Sequence, residues 1–368
     1  MVTHRRARFA VSLLGIAFAV VIMFMEIGFS NGINDSQARL AAYLDADLVL
    51  IHRRRYALVT DDEFSLSRLQ QTIGLSEIVS ATPLYEGTQV ILNPATGMVR
   101  GISVIAFPPG TTPLKLAGLD ALSLLLVRRD AVLYDRLSRE LYGPVKVGTR
   151  LQLGAEAEEH TVVGLFELGP TIRSDGLLLM GDGSWRKSKE AADSLTMGLL
   201  KVRPGTDLRA LKAQLTARIG DEVLIMTPEE LRVREVDFIA HATPAGTIFV
   251  IGLIVGVAIG VIICYQILFN EISDNLPQYA TVKAMGFPPG YLVGLVMRQA
   301  LLLGLFGFIP GLAGGALLYS VIQHSTRILM LLTWQRIVFI FALTILMCAV
   351  SGLLAVRKVL RADPAEVF

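Results

Sequence analysis

The chain is poor in cysteine and in charge, and it contains no phosphate-cradling loop. Two cysteines occur in 368 residues, Cys264 and Cys348, and both fall inside apolar runs. The hydrophilic part therefore has no disulfide framework, and neither cysteine suggests a metal site. Five histidines, His4, His52, His160, His241 and His324, are scattered without the close pairing a zinc site needs. No G-x-x-x-x-G-K-[ST] stretch is present. The glycine-rich run from Gly176 to Gly183 leads into Ser184-Trp185-Arg186-Lys187, which lacks that spacing. A G-x-S-x-G nucleophile elbow is missing as well. Catalysis by this chain, ATP hydrolysis included, is not expected, and no cofactor or metal is expected to reside in it.

What is abundant is apolar sequence. Hydrophobic residues make up 53% of the chain and charged ones 18%, outside the range of ordinary soluble proteins. Four windows reach the roughly 20 apolar residues that cross a bilayer: Phe9 to Phe29, Thr247 to Asn270, Gln299 to Gln323, and the gap between Arg336 and Arg357. Between Asn31 and Thr243 there are 24 Lys+Arg and 27 Asp+Glu, against 10 and 5 in the remaining 155 residues. The middle segment thus reads as a slightly acidic water-soluble domain, and the net charge of +2 says nothing about nucleic acid.

The expected fold class is an α-helical membrane protein with four transmembrane helices. A large α+β extracytoplasmic domain is inserted between spans one and two. Residues 1–30 form the tail and first span, 31–243 the domain, and 244–270 the second span. A polar segment, 271–291, precedes the third span at 292–323. A short outer loop, 324–336, leads to the fourth span and C-terminus at 337–368. Arg5, Arg6 and Arg8 before the first span, Arg357, Lys358 and Arg361 after the last, and Lys283 and Arg298 between spans two and three put those ends in the cytoplasm. Only Arg327 and Arg336 oppose them. The first span is too long for a signal-peptide core and ends in MEIGFSNG, without a small-x-small site, so it is expected to be retained.

Within the domain, SNGINDSQARLAAYL continues as a helix, with Ile33, Ala38, Leu40, Ala41 and Leu44 on a loose apolar stripe. ADLVLI, IVSATPLY, TQVIL and MVRGISVIAF read as strands, with a turn from Asn93 to Gly97 and a short helix in FSLSRLQQTIG. LLLVRRDAVLYDRLSREL is expected to be helical in its second half. VGTRLQL and HTVVGLFEL form a hairpin, and LTMGLLKV, DLRALKAQLTARI and EVLIM a strand, helix and strand. Two lobes are expected: one built from both ends of the domain, the other an insertion at about 83–193. Thr227-Pro228-Glu229-Glu230 starts a helix with a capping box, and ELRVREVDFIAHA then runs toward Pro244. The stretches entering and leaving the domain read as helical stalks or, alternatively, as flexible linkers.

Gly252, Gly256 and Gly260 share one face of the second span and mark a close helix contact, either a packing face in the bundle or a dimer interface. The third span carries Gly304, Gly307, Pro310, Gly311, Gly314 and Gly315, and Pro310 with Gly311 is a candidate hinge or static kink. Glu26, near the outer end of span one, reads as solvated or hydrogen-bonded rather than as part of a relay. The segment from Glu271 to Tyr291 is an amphipathic island. Pro277 can open a short helix presenting Tyr279, Val282 and Phe287 beside Lys283, Gly286 stops it, and Pro288-Pro289 prevents continuation. Such a helix suits a groove on a soluble partner, or else lies on lipid headgroups.

The stretches LLGIAFAVVIMFMEIGF, LDADLVLI, YQILFNEISDNLPQYATVKAMGF, LTILMCAVSGLLAVRKVL and the terminal RADPAEVF resemble the MacB/FtsX/LolC class of ABC permeases. Within it the wording is most similar to the DevC family, of the heterocyst glycolipid exporter type. YATVKAMGF and DPAEVF are the specific phrases, and the outer lobe matches more loosely. The resemblance implies a homodimeric mechanotransmission permease of the bacterial inner membrane. A separate ABC ATPase would bind ATP and Mg, and a periplasmic membrane-fusion adaptor and a TolC-like outer-membrane channel would complete the path. It also implies that Gln278, Tyr279, Lys283, Ala284, Met285, Gly286 and Phe287 form the ATPase-coupling segment. Export of a lipid or other amphiphile, glycolipid-like, follows by the same likeness. The alternative is an FtsX-like transducer that moves nothing and controls an extracytoplasmic enzyme.

Overall fold

The computed structural model describes residues 2–154, 156–170, 174–188, 193–326 and 330–361, with side chains from residue 12 onward except 245, 326 and 358–361. Arg327, the terminal residues 362–368 and the side chains of Arg5, Arg6, Arg8, Lys358 and Arg361 lie outside what is described. Two compact units form, one from the chain up to Gly32, from Pro244–Ser325 and from Met330 onward, the other from Ile33–Thr243 with Thr326.

In chain order, α1 (Val2–Gln37) and α2 (Arg39–Tyr43) lead into β1 (Leu48–His52). There follow β2 (Phe64–Ser65), α3 (Leu66–Gln70), β3 (Ile78–Asn93), β4 (Met98–Phe107), α4 (Leu119–Leu125) and β5 (Ala131–Asp135). Next come β6 (Arg150–Leu153), β7 (Glu158–Phe166), β8 (Leu177–Gly181), α5 (Asp182–Ser188), β9 (Ser194–Leu195) and β10 (Met197–Val202). α6 (Leu208–Ile219), β11 (Val223–Met226) and α7 (Pro228–Asp237) complete the sheet-rich unit. The helical unit adds α8 (Pro244–Asp274), α9 (Leu276–Ala284), α10 (Pro289–Thr326) and α11 (Trp334–Arg361). Among the described residues, four helical stretches are long and apolar enough to cross a membrane: Ser12–Gln37, Gly246–Asp274, Pro289–Ser325 and Trp334–Arg357.

The sheet-rich unit is organised by one long strand. Nine strands run in the order β11-β1-β10-β3-β4-β8-β5-β7-β6, and β6 also pairs with β3. Six strands therefore close on themselves, while β11, β1 and β10 extend from β3 as an open sheet. β3 changes partner within its length, pairing with β10 up to Leu84 and with β4 from Tyr85. The two lobes thus share a strand, and the strand does not break at Pro83, where the insertion was expected to begin. Alternate residues feed two cores. Leu48, Leu50, Val104, Val132 and Leu178 belong to one, with Leu211 and Leu215 of α6. Val49, Ile51, Ile105, Leu133 and Leu179 belong to the other, with Leu40 of α2 and Leu231 of α7. Covering on both faces explains why these strands read as near-continuous apolar runs.

That double burial also corrects one expectation. The middle of LLLVRRDAVLYDRLSREL is a strand, β5, with all five residues buried, and the second half runs on into a turn rather than a helix. Four apolar residues in succession, Ala131–Tyr134, carry no period by which a strand can be told from a helix. The helix lies upstream, at Leu119–Leu125, and residues Glu140–Tyr142 form only a 3-10 turn. At the stalk, the Thr227–Glu230 capping box forms in both directions. α7 then widens into a π turn at Phe238–Ala242, and Thr243 is extended, the conformation a following proline favours. Pro244 opens α8.

Two buried carboxylates tie the unit together. Asp135, fully buried at the end of β5, accepts from the backbone N–H groups of Leu137, Leu168 and Gly169 at 2.9, 3.3 and 2.5 Å. The Arg39 guanidinium lies beside it and donates to the Leu168 carbonyl at 2.8 Å. Gly169 sits at φ +94°, and a side chain there would occupy the place of that guanidinium. Glu235 of α7, also fully buried, accepts from Gln37 Nε2 at 2.7 Å and from the Leu58 N–H at 2.8 Å. Arg55 and Glu86, an ion pair at 3.5 Å, lie nearby. Gln37 is the last residue of α1, so this carboxylate joins the chain entering the domain to the helix leaving it.

Burial pushes the Glu235 carboxyl from its ordinary 4.5 to about 7, against the hydrogen bonds from Gln37 and Leu58. The folded state holds this proton more tightly than the unfolded chain does. On the order of 3 kcal/mol of stability is therefore present below about pH 4.5 and lost as pH rises through about 7. Glu235→Gln should flatten the melting temperature of the full chain between about pH 5 and pH 7 relative to wild type. Parallel pH profiles for the two proteins would refute this.

Candidate coupling site and the helical bundle

The bundle is assembled around α1. Along one face Ile16, Val20 and Phe24 press on Gly307, Gly311 and Gly315 of α10, a parallel match at a four-residue spacing. A Cβ built at Gly307 or Gly311 would lie 2.6 Å from Ile16 or Val20. One turn further the pairing inverts, with Gly28 of α1 facing Tyr319, whose hydroxyl donates to the Phe24 carbonyl at 2.5 Å. On another face Ala19, Ile22 and Glu26 meet Gly260, Gly256 and Gly252 of α8, running antiparallel. Ile16, Ala19, Val20, Met23 and Phe24 are consequently fully buried.

This arrangement assigns Gly252, Gly256 and Gly260 to packing inside the chain, because their bare faces are filled by α1 and, at Gly260, also by Met347 of α11. The exposed face of α8 carries Ile248, Ile251, Ile254 and Ile262 instead. α10 runs through Pro310 as one helix, and Gly311 is a contact with Val20 and the Ala17 carbonyl. α8 and α11 are joined by Ser351, which donates to the Val261 carbonyl at 2.9 Å, with Cys264 and Cys348 both buried and unbridged.

α9 lies between α8 and α10. Asn275 folds back to donate to the Glu271 carbonyl at 2.8 Å as α8 ends, and Pro277 occupies the first turn of α9. Gly286 adopts φ +86°, a left-handed stop that a side chain would strain. α10 restarts at Pro289. Of the seven residues expected in this segment, Gln278, Ala284, Met285, Gly286 and Phe287 are exposed and Lys283 is half-buried. Phe287 stacks on Tyr291 with ring centroids 4.9 Å apart.

Tyr279 departs from expectation. It is 9% exposed and lies beside Ala280, at 1%. On a nine-residue helix positions 276, 279, 280 and 283 share a face, and here that face turns to the bundle. Sequence spacing defines the face without saying which side it meets. The outward surface is therefore Met285, Phe287 and Tyr291, and Tyr291 was missed because it sits past the Pro-Pro break rather than on the helix.

The architecture defines a class: a membrane protein with four spans and a sheet-rich domain inserted between the first and second. Residues 245–364 match the FtsX-like permease C-terminal family and residues 9–218 match the MacB-like periplasmic core domain family, the latter over more than half the chain. The chain belongs to the MacB/FtsX-like family of ABC transporter permeases. It is similar to an uncharacterized ABC transporter permease of Methanocaldococcus jannaschii, at 23% identity over 236 residues. That match covers 61% of this chain and 58% of the relative.

Two solved structures are similar in part. The periplasmic region of MacB from Actinobacillus actinomycetemcomitans gives a TM-score of 0.37 at 11% identity, over 52% of this chain and 92% of that one. The extracellular domain of the noncanonic ABC-type transporter YknZ from Gram-positive bacteria gives 0.36 at 10%, over 50% and 99%. The family assignment rests on the two sequence matches.

Packing predicts an asymmetry among glycines of α10. Gly311→Leu should lower the thermal stability of the detergent-solubilised chain by an overpacking cost of about 1–3 kcal/mol or more. Gly294→Leu, where a Cβ would meet nothing within 4 Å, should leave it unchanged. Equal effects of the two substitutions would contradict the α1–α10 contact.

Proposed function

We propose that this chain is the permease of an exporter that moves a lipid or other amphiphile, glycolipid-like as in the DevC type. It works as a homodimer in a bacterial inner membrane, with a separate ATPase, a membrane-fusion adaptor and a TolC-like channel. The observation that supports the coupling role is the exposed surface of Met285, Phe287 and Tyr291, which runs from the end of α9 into the first turn of α10. An apolar surface with two stacked rings, anchored at both ends to spans, fits a groove on a soluble partner. Motion of the ATPase pushes α9, the second span carries it along α8, and α1 and α7 bring it to the sheet-rich domain. No chemistry is required of the chain itself. Its task is to convert the partner's closure into movement of a domain outside the membrane.

Met285→Ser with Phe287→Ser should reduce co-purification of the ATPase subunit at least about tenfold, equivalent to about 1.4 kcal/mol, at unchanged membrane insertion. Tyr279→Ala should instead destabilise the bundle. Wild-type recovery of the ATPase with the double variant would reject the coupling surface. An adaptor-free complex that hydrolyses ATP and moves no amphiphile would favour the transducer reading.

A further inference from the structure

The end of α1 and the turn after β1, at 55–58, both meet the C-terminal half of α7. The turn is tied to α7 through its backbone. Arg234 donates from Nε to the Tyr56 carbonyl and from Nη2 to the Arg55 carbonyl, both at 3.1 Å. The Tyr56 ring packs against Phe238 with centroids 6.1 Å apart. At the centre is Glu235, which accepts from the Leu58 N–H on one oxygen and from Gln37 Nε2 on the other. One carboxylate thus joins the chain's entry, the turn and the exit helix.

Charge makes this joint conditional. Among the described residues, two charged side chains bear on Glu235: Glu86 of β3, which opposes its ionisation, and Arg55, which favours it. Both are buried, at 9% and 1% exposure, and they pair with each other at 3.5 Å. One guanidinium therefore serves two carboxylates in a place closed to water, and the three groups carry a surplus negative charge unless a proton is taken up. The other charged groups around α7 are turned elsewhere. On α7 itself Arg232 pairs with Glu229, Glu230 with Lys212 of α6, and Asp237 with His241. Arg39 of α2 lies beside Asp135, Asp35 of α1 faces Arg39 and Arg232, and His52 of β1 accepts from the Arg54 N–H.

We infer that Glu235, Glu86 and Arg55 form a one-proton site that works as a clasp. With the proton bound, the end of α1 and the 55–58 turn stay fastened to α7. With the proton lost, the fastening opens while the two cores of the sheet-rich unit keep their packing. The ligand is the proton of the solution around that unit, so the clasp responds to the acidity there. It does not depend on what the assembled system moves.

The test follows amide hydrogen exchange of the full chain in detergent at pH 6 and pH 8, with each rate referred to the intrinsic rate at its own pH. The Leu58 amide is itself a donor to Glu235, so a peptide containing it reports the clasp directly, and peptides of α7 report the helix. Burial holds the Glu235 proton up to about pH 7, whereas the opened carboxyl loses it near its ordinary 4.5. Protection of both peptides should therefore fall about tenfold from pH 6 to pH 8. Because the clasp opens without the cores, that protection should also stand at least about tenfold below that of β8 at pH 8. Glu235→Gln, neutral at either pH, should abolish the fall. Glu86→Gln, which removes the like charge and leaves Arg55 to Glu235, should move the midpoint of the fall to lower pH. Level protection in wild type, a fall that persists in Glu235→Gln, a midpoint unmoved by Glu86→Gln, or protection equal to that of β8 would each overturn the clasp.

Discussion

Everything in the helical unit depends on how closely α1 is approached by its neighbours. In a bilayer there is little hydrophobic gain in bringing two apolar helices together, so packing and a few hydrogen bonds must suffice. Here the gain comes from glycine rows on α8 and α10 that admit the side chains of α1 to full burial. The Tyr319 hydrogen bond to the Phe24 carbonyl adds a polar contact at the end of that row. With α1 held from two sides, Glu26 is carried to the place where Gly252 leaves room for it.

The sheet-rich unit applies a different constraint to a similar end. Its two lobes share β3 and two continuous cores, so neither lobe can shift without the strand that serves both. The entering and leaving segments meet at one buried carboxylate, Glu235, bonded to Gln37 at the end of α1. A domain fastened at its entry and its exit is held at both ends of the chain that forms it.

The spans and the glycine row of α8 were legible because composition and four-residue spacing report directly on lipid exposure and close approach, whereas the glycines of α10, read as a hinge or kink beside Pro310, turn out to admit the side chains of α1. β5 was not, since Ala131–Asp135 is covered on both faces and shows neither period. Tyr279 was placed on the right face of α9 and assigned to the wrong side, because one segment does not reveal where its bundle lies. Glu235 left a trace in the sequence: it stands four residues after Leu231, on the stripe that α7 buries. A carboxylate in that position signals a buried partner.

The four-residue match between α1 and α10 also fixes the register of one helix against the other. Three steps of the match are alike, a large side chain of α1 over a glycine of α10, so a slide of one step, about 6 Å along the axis, would refill most sockets. The inverted pair at Gly28 and Tyr319 removes that degeneracy. Moved one step either way, Tyr319 meets a side chain where it needs a vacancy, or leaves a vacancy facing a glycine. The fourth step works as a key in a lock whose other tumblers are identical. It restricts α1 and α10 to moving together, as one rod rather than as two sliding rails.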